Sequence, residues 1–183
     1  MPFEFEPQAI PQVVLVKPHL FSDERGMFAE LYKASEFNEY GFGKQFLQIN
    51  FSKSEQGVVR ALHYQLHPKA QGKLVMVTSG EIFDVAVDLR KSSPTFQKWV
   101  GVTLSAVEKH MLFVPVGFAH GFGVLSEQAE VMYFTTEEYA PEYERGIQWN
   151  DPAINISWPV QKPVLSEKDA AYPPLDKAEH NFS

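Results

Sequence analysis

The chain of 183 residues contains no cysteine. That absence removes disulfides, thiolate metal ligands and cysteine nucleophiles together. Also missing is any apolar run approaching the roughly 20 residues that cross a bilayer. The opening residues, MPFEFEPQAIPQ, carry Glu and Pro where a secretion signal needs a basic and then an apolar region. A cytoplasmic protein with no membrane partner is therefore expected. Basic charge is scarce as well: 16 Lys and Arg stand against 23 Asp and Glu, a formal net charge of -7. Nucleic-acid binding needs a basic footprint, so no nucleic-acid partner is expected. Any bound anion must be held by a small local cluster of cations against the overall field. Helix is scarce too. Before the final segment only residues 34–40 read as helix, with Gly41 and Gly43 as stop signals.

What remains favours strands. Aromatic residues make up 14% of the chain, enough to tip the balance toward β structure and away from disorder. The 11 Gly and 13 Pro are scattered, as turns between many short strands require. The length suits one domain, residues 1–183. Short β-branched and aromatic runs follow one another: QVVLVKP, a strand over 27–32 after a turn at 22–26, then FLQINFS, GVVRALHYQL, KLVMVTSG, EIFDVAVDLR, FQKWVGVTL, MLFVPVGFAHGFGVL and AEVMYFTTEEY. With no long helices between them, they predict an all-β sandwich or barrel. The VMYF stretch, apolar on both faces, predicts a sheet covered on its second side by another sheet or a partner subunit.

One stretch does not fit simple packing. QINFSKSEQGVVRALHYQLHPKAQGK, residues 48–73, sets Arg60, His63 and Lys73, with Gln48, Asn50 and Gln65, among apolar strand residues. An ionisable base beside cations suits proton transfer on a bound anion. In a regular strand, side chains alternate, so Arg60 and His63 would face opposite ways. If both serve one pocket, the chain must bulge or twist between them.

Further on, Pro115-Val116-Gly117-Phe118-Ala119-His120 follows the apolar run MLFV. This P-x-G-x-x-H pattern resembles the second motif of the cupin superfamily, whose barrels are double-stranded β-helix jelly rolls. A metal-binding cupin would also carry H-x-H and a following Glu. Here that place holds His63-Tyr64-Gln65, with His67 beside Pro68, so a cupin-type jelly roll with a few short peripheral helices, no catalytic metal and no cofactor is expected.

Taken in order, FSDERGMFAE, QINFSKSEQGVVRALHYQ, KLVMVTSGEIFDVAVDLR, SPTFQKW, PVGFAHGF, MYFTTEEYAPEYERGIQWNDP and LSEKD are similar to the successive motifs of the dTDP-4-dehydrorhamnose 3,5-epimerase family. The resemblance runs from about Phe21 to Asp169. It implies a homodimer with a shared active site, acting on a dTDP-4-keto-6-deoxyhexose and inverting C3 and C5 without a metal. Such chemistry needs a base for a C–H proton, a positive group for the enolate oxygen and an acid on the opposite face. The resemblance makes His63 the base, Asp169 its carboxylate partner, Lys73 the cation near the sugar and Tyr133 the acid. It assigns Arg25, Glu30, Gln48, Ile49, Asn50, Arg60, Lys73, His120, Tyr139, Glu144 and Lys168 to substrate binding, Tyr139 by stacking on thymine. Paired arginines suit a diphosphate because their planar forks bind oxygen pairs.

Plainer readings stand beside these. Ser166-x-x-Asp169 is also a helix capping pattern, Tyr133 could be an ordinary core aromatic, and Lys73 and Arg60 could be rim charges. Asp84, Asp88 and Arg90 read as structural or solvated, and His67, His110 and His180 carry no motif. Two other functions remain open: a single-carbon epimerase of a related dTDP-4-keto-deoxysugar, and a non-catalytic nucleotide-sugar-binding cupin.

Overall fold

The computed structural model describes residues 2–42 and 45–183. Gly43, expected as a helix stop, lies outside the described residues. In chain order the elements are β1 (Phe3–Pro7), β2 (Val14–Pro18), β3 (Phe21–Asp23), β4 (Gly26–Phe28), α1 (Ala34–Tyr40), β5 (Gln48–Glu55), β6 (Val59–Gln65), β7 (Lys73–Ser79), β8 (Glu81–Asp88), β9 (Trp99–Ser105), β10 (Met111–Val114), β11 (Phe118–Val124), β12 (Gln128–Thr135), β13 (Glu144–Gly146) and α2 (Glu167–Ala170). A six-stranded sheet, ordered β1-β2-β10-β7-β12-β5, faces a five-stranded sheet, ordered β13-β6-β11-β8-β9. This is the all-β cupin jelly roll expected from the sequence.

Three apolar clusters follow from strand alternation. Val75, Val77, Ala129 and Val131 of one sheet meet Ile82, Ala86, Phe118 and Phe122 of the other inside the barrel. Behind the five-stranded sheet, the chain after β13 covers Leu62, Tyr64, Val85 and Val87 with Ile154, Leu175 and Phe182. Behind the six-stranded sheet, Phe3 and Phe37 close over Leu74, Met76 and Met111, with Met132 and Phe134 packed alongside. VMYF is thus apolar on both faces because Val131 and Tyr133 point inward while Met132 and Phe134 point toward α1 and β1. Helix α1 ends at Gly41, whose φ of 107° lets its N–H reach back to Phe37 and Asn38.

Some boundaries differ from the sequence reading. The single run over 111–125 divides at a turn where Gly117 takes φ +92°. β4 stops at Phe28 instead of reaching Tyr32. β1 and β13 were not anticipated. β13 has only three residues and is recruited by pairing with β6, while β1 pairs with β2 and buries Phe3 through tertiary packing that local propensity does not report.

The expected irregularity in β6 is present. His63 is registered with His120 and Arg60 with Phe122, so Ala61 and Leu62 together oppose the single residue Gly121. Both bulge residues pack outward in the cluster behind the sheet, which leaves Arg60 and His63 on the barrel side. A side chain at Gly121 would come within 2.5 Å of the Ala61 Cβ. The bulge therefore needs glycine on β11, and Ala61 is accommodated with no positive φ.

Candidate active site

Register alone gathers most of the polar interior. On the five-stranded sheet, Glu144 lies beside Gln65, and His63 lies between Gly146 and His120. On the facing sheet, Tyr133 lies between Asn50 and Val75, and Thr135 between Gln48 and Lys73. Imidazole and phenol thus belong to opposite walls of one barrel.

His63 Nε2 is 2.6 Å from Asp169 Oδ1. A carboxylate only accepts, so the neutral ring carries its proton on Nε2 and keeps the Nδ1 lone pair free. The imidazole is about one-quarter exposed, whereas Asp169 is buried. Asp169 is delivered by α2, where its backbone N–H donates to Ser166 Oγ at 3.1 Å. The capping and the catalytic readings of LSEKD therefore coexist, because the cap uses the amide and leaves the carboxylate free.

Beside this pair stands a second one. His120 Nε2 is 2.7 Å from Asp84 Oδ1, with both side chains buried, while Asp84 Oδ2 is buried and finds no hydrogen-bond partner among the described residues. Burial lowers the His120 pKa despite the opposing pull of Asp84, so the ring stays neutral near pH 7. Asp84 is thus not a solvated charge but part of the barrel floor. An acid set between the apolar Phe83 and Val85 in the middle of β8 was the signal available for it.

Burial pushes the Lys73 ammonium down to about 8, with Asp84 and Glu144 pulling the other way. It lies 6.0 Å from the centre of the Tyr133 ring. Burial also raises the Tyr133 phenol, against the nearby Arg60 charge. Arg60 itself spans the two sheets, its Nε donating to Ser54 Oγ on β5 at 3.1 Å. Around the rim, burial would raise Glu144, but hydrogen bonds from Lys168 and Tyr139 outweigh it and hold the carboxyl below its usual range. Gln48 donates to Asn50 Oδ1 at 2.8 Å and accepts the Tyr139 N–H at 2.8 Å.

Three expected residues are not gathered here. Ile49 alternates away from Gln48 and Asn50 and is exposed on the outer face of β5. Arg25 lies in the turn of the β3–β4 hairpin, exposed and bonded to Asp23. Glu30, just beyond β4, is exposed as well. Gln65, standing where metal cupins place a histidine, binds the 138–140 loop through Glu138 O and the Ala140 N–H. Among the described residues, no group of three or more His, Asp or Glu side chains is arranged to hold a metal ion. Besides Asp84, the sequence reading passed over Tyr172, whose ring meets that of His63 at 5.6 Å, edge to face.

A jelly roll with an imidazole and a phenol on facing walls defines the class: a cupin-type barrel whose polar interior can exchange protons. The family model described as dTDP-4-dehydrorhamnose 3,5-epimerase matches residues 7–177. A dTDP-4-dehydrorhamnose 3,5-epimerase of Shigella flexneri is 58% identical over 161 residues, covering 87% of this chain and 89% of its own length. The structure of a dTDP-6-deoxy-D-glucose-3,5-epimerase from Legionella pneumophila, solved with dTDP-4-keto-L-rhamnose, superposes with a TM-score of 0.92 at 45% identity, over 96% of this chain and 94% of that one. A 3'-monoepimerase from Streptomyces bikiniensis, solved with dTDP-quinovose, is more distant at 31% identity and a TM-score of 0.87, covering 93% of this chain and 87% of that one. The chain belongs to the dTDP-4-dehydrorhamnose 3,5-epimerase family. Among the described residues no helix is long and apolar enough to cross a membrane.

Proposed function

We propose that residues 1–183 act as one cytoplasmic epimerase domain that converts dTDP-4-dehydro-6-deoxy-D-glucose to dTDP-4-dehydro-L-rhamnose by inverting C3 and C5. The observation that carries this reading is the placing of His63 and Tyr133 on opposite sheets of the barrel, so that a sugar ring between them offers one face to each. At each carbon in turn, His63 Nδ1 takes the proton next to the 4-keto group and the electron pair moves to O4. Asp169 stabilises the imidazolium through Nε2, and Lys73, still charged at neutral pH, stabilises the enolate oxygen. The Tyr133 phenol delivers a proton to the other face. Imidazolium and phenolate then exchange protons with solvent, and the net change is isomerisation.

The raised Tyr133 pKa supports an acid that stays protonated near neutrality. Arg60 and Lys168 bind the diphosphate in this reading, Tyr139 stacks on thymine, and Gln48, Asn50, His120 and Glu144 shape the sugar site. Arg25 and Glu30 come from a partner subunit in a homodimer. That assembly is supported by the projecting β3–β4 hairpin, with Phe21, Met27 and Phe28 exposed, and by Leu47, Ile49 and Phe51 exposed on or beside the outer face of edge strand β5. In D2O, NMR should show deuterium entering at both C3 and C5. Label at one carbon would identify a single-carbon epimerase, and label at neither a binding protein.

A further inference from the structure

The bond to Asp169 fixes one point of the His63 ring. An aromatic torsion of this kind has broad minima, so a single hydrogen bond leaves the imidazole free to swing about it. Tyr172 supplies a second contact. It follows α2 by two residues, so the short segment that brings Asp169 to the Nε2 edge also brings a phenol against the ring, at 5.6 Å and 62°. The backbone just past it is pinned where the Gln148 N–H donates to Pro173 O at 2.9 Å.

The Tyr172 ring also rests on Gly146, the β13 residue registered with His63. A Cβ at Gly146 would lie 2.4 Å from two atoms of the Tyr172 ring. The missing Cβ of Gly146 thus makes room for a phenol beside the imidazole. The Tyr172 hydroxyl takes no part in this contact: among the described residues, the buried Oη has no hydrogen-bond partner. What the site uses is the ring.

Resting on the assignment of His63 as base, we propose that Tyr172 is a positioning residue which, seated on Gly146 and packed against the imidazole, holds His63 in the one orientation that aims Nδ1 at the sugar while it stays bonded to Asp169. Its effect falls on proton abstraction and leaves nucleotide binding alone, since the ring it touches is that of the base and its buried hydroxyl offers the nucleotide no bond.

The test measures kcat, KM and dTDP affinity for Tyr172→Leu, Tyr172→Phe, Gly146→Ala and His63→Asn. Tyr172→Leu should lower kcat about ten- to a hundredfold, the scale of a misaligned reacting group, with dTDP affinity unchanged. Tyr172→Phe should restore the rate and melt no lower than the parent chain, because it deletes a buried hydroxyl that has no partner. Gly146→Ala, whose Cβ would displace the ring, should reproduce the kcat loss even if the leucine variant folds poorly. A normal kcat in both Tyr172→Leu and Gly146→Ala would overturn the proposal, as would a loss in Tyr172→Phe equal to that in Tyr172→Leu. A fall in dTDP affinity with kcat unchanged would also overturn it. If His63→Asn retains turnover, the base assignment itself has failed; if only the Tyr172 and Gly146 effects are missing, that assignment stands and this inference alone is lost.

Discussion

The barrel holds two histidine–carboxylate pairs as strand neighbours, and they differ in almost everything except hydrogen-bond length. His120 and Asp84 sit on adjacent strands, wholly buried, and their pairing follows from the sheet. His63 and Asp169 are 106 residues apart, and the imidazole remains open to the barrel mouth. Burial keeps His120 neutral and fixed. His63 keeps a free Nδ1 and a route to solvent, which a base must have in order to lose the proton it gains. Identical residue types therefore do different work according to which one water can reach. In the proposed mechanism the inner pair shapes the cavity and the outer pair turns over.

Replacing each histidine by asparagine tests this most severely. His63→Asn should lower kcat by about 10²–10⁴-fold, the usual contribution of a general base. His120→Asn, which keeps a donor for Asp84, should cost no more than about tenfold, the worth of one neutral hydrogen bond, and mostly in KM. Equal kcat losses in steady-state assays would erase the distinction.

The inner pair should instead be visible through Lys73. With its pKa lowered to about 8, the ammonium is charged at pH 7 and is lost as pH rises through that value, so kcat should decline above about pH 8. Lys73→Met should have a lower plateau and no such limb. Asp84→Asn removes a negative charge that favours the ammonium, so the alkaline limb should move to lower pH in the pH–rate profile. An unmoved limb would detach Asp84 from Lys73. The smallest effect belongs to the delivery of the outer carboxylate. Ser166→Ala removes the α2 cap and should cost about 1 kcal/mol in a denaturant titration, with a modest fall in kcat.

The contrast between the pairs also explains what could be read from sequence. Helix α1 was legible to the residue because Gly41 marks its end. The β6 bulge was legible because Arg60 and His63 are separated by an odd number of positions, which alternation cannot place on one face. Asp169 was found through the family motif, since nothing local to LSEKD points to a histidine 106 residues away. Asp84 was read as structural or solvated, and the sequence could not choose between the two because a carboxylate in a strand carries no mark of its burial until β11 places His120 beside it. Tyr172 left no signal, as its role depends on the missing Cβ of Gly146. Ile49 was included with its neighbours Gln48 and Asn50, although strand alternation turns its side chain outward.

The central claim, that His63 and Tyr133 address opposite faces of one sugar ring, is tested most directly by following deuterium and configuration at C3 in D2O with Tyr133→Phe. With the base intact and the acid gone, His63 should remove the proton and return deuterium to the same face, giving label without inversion, while His63→Asn gives neither. Inversion at the normal rate without the phenol, or label appearing without the imidazole, would contradict the account.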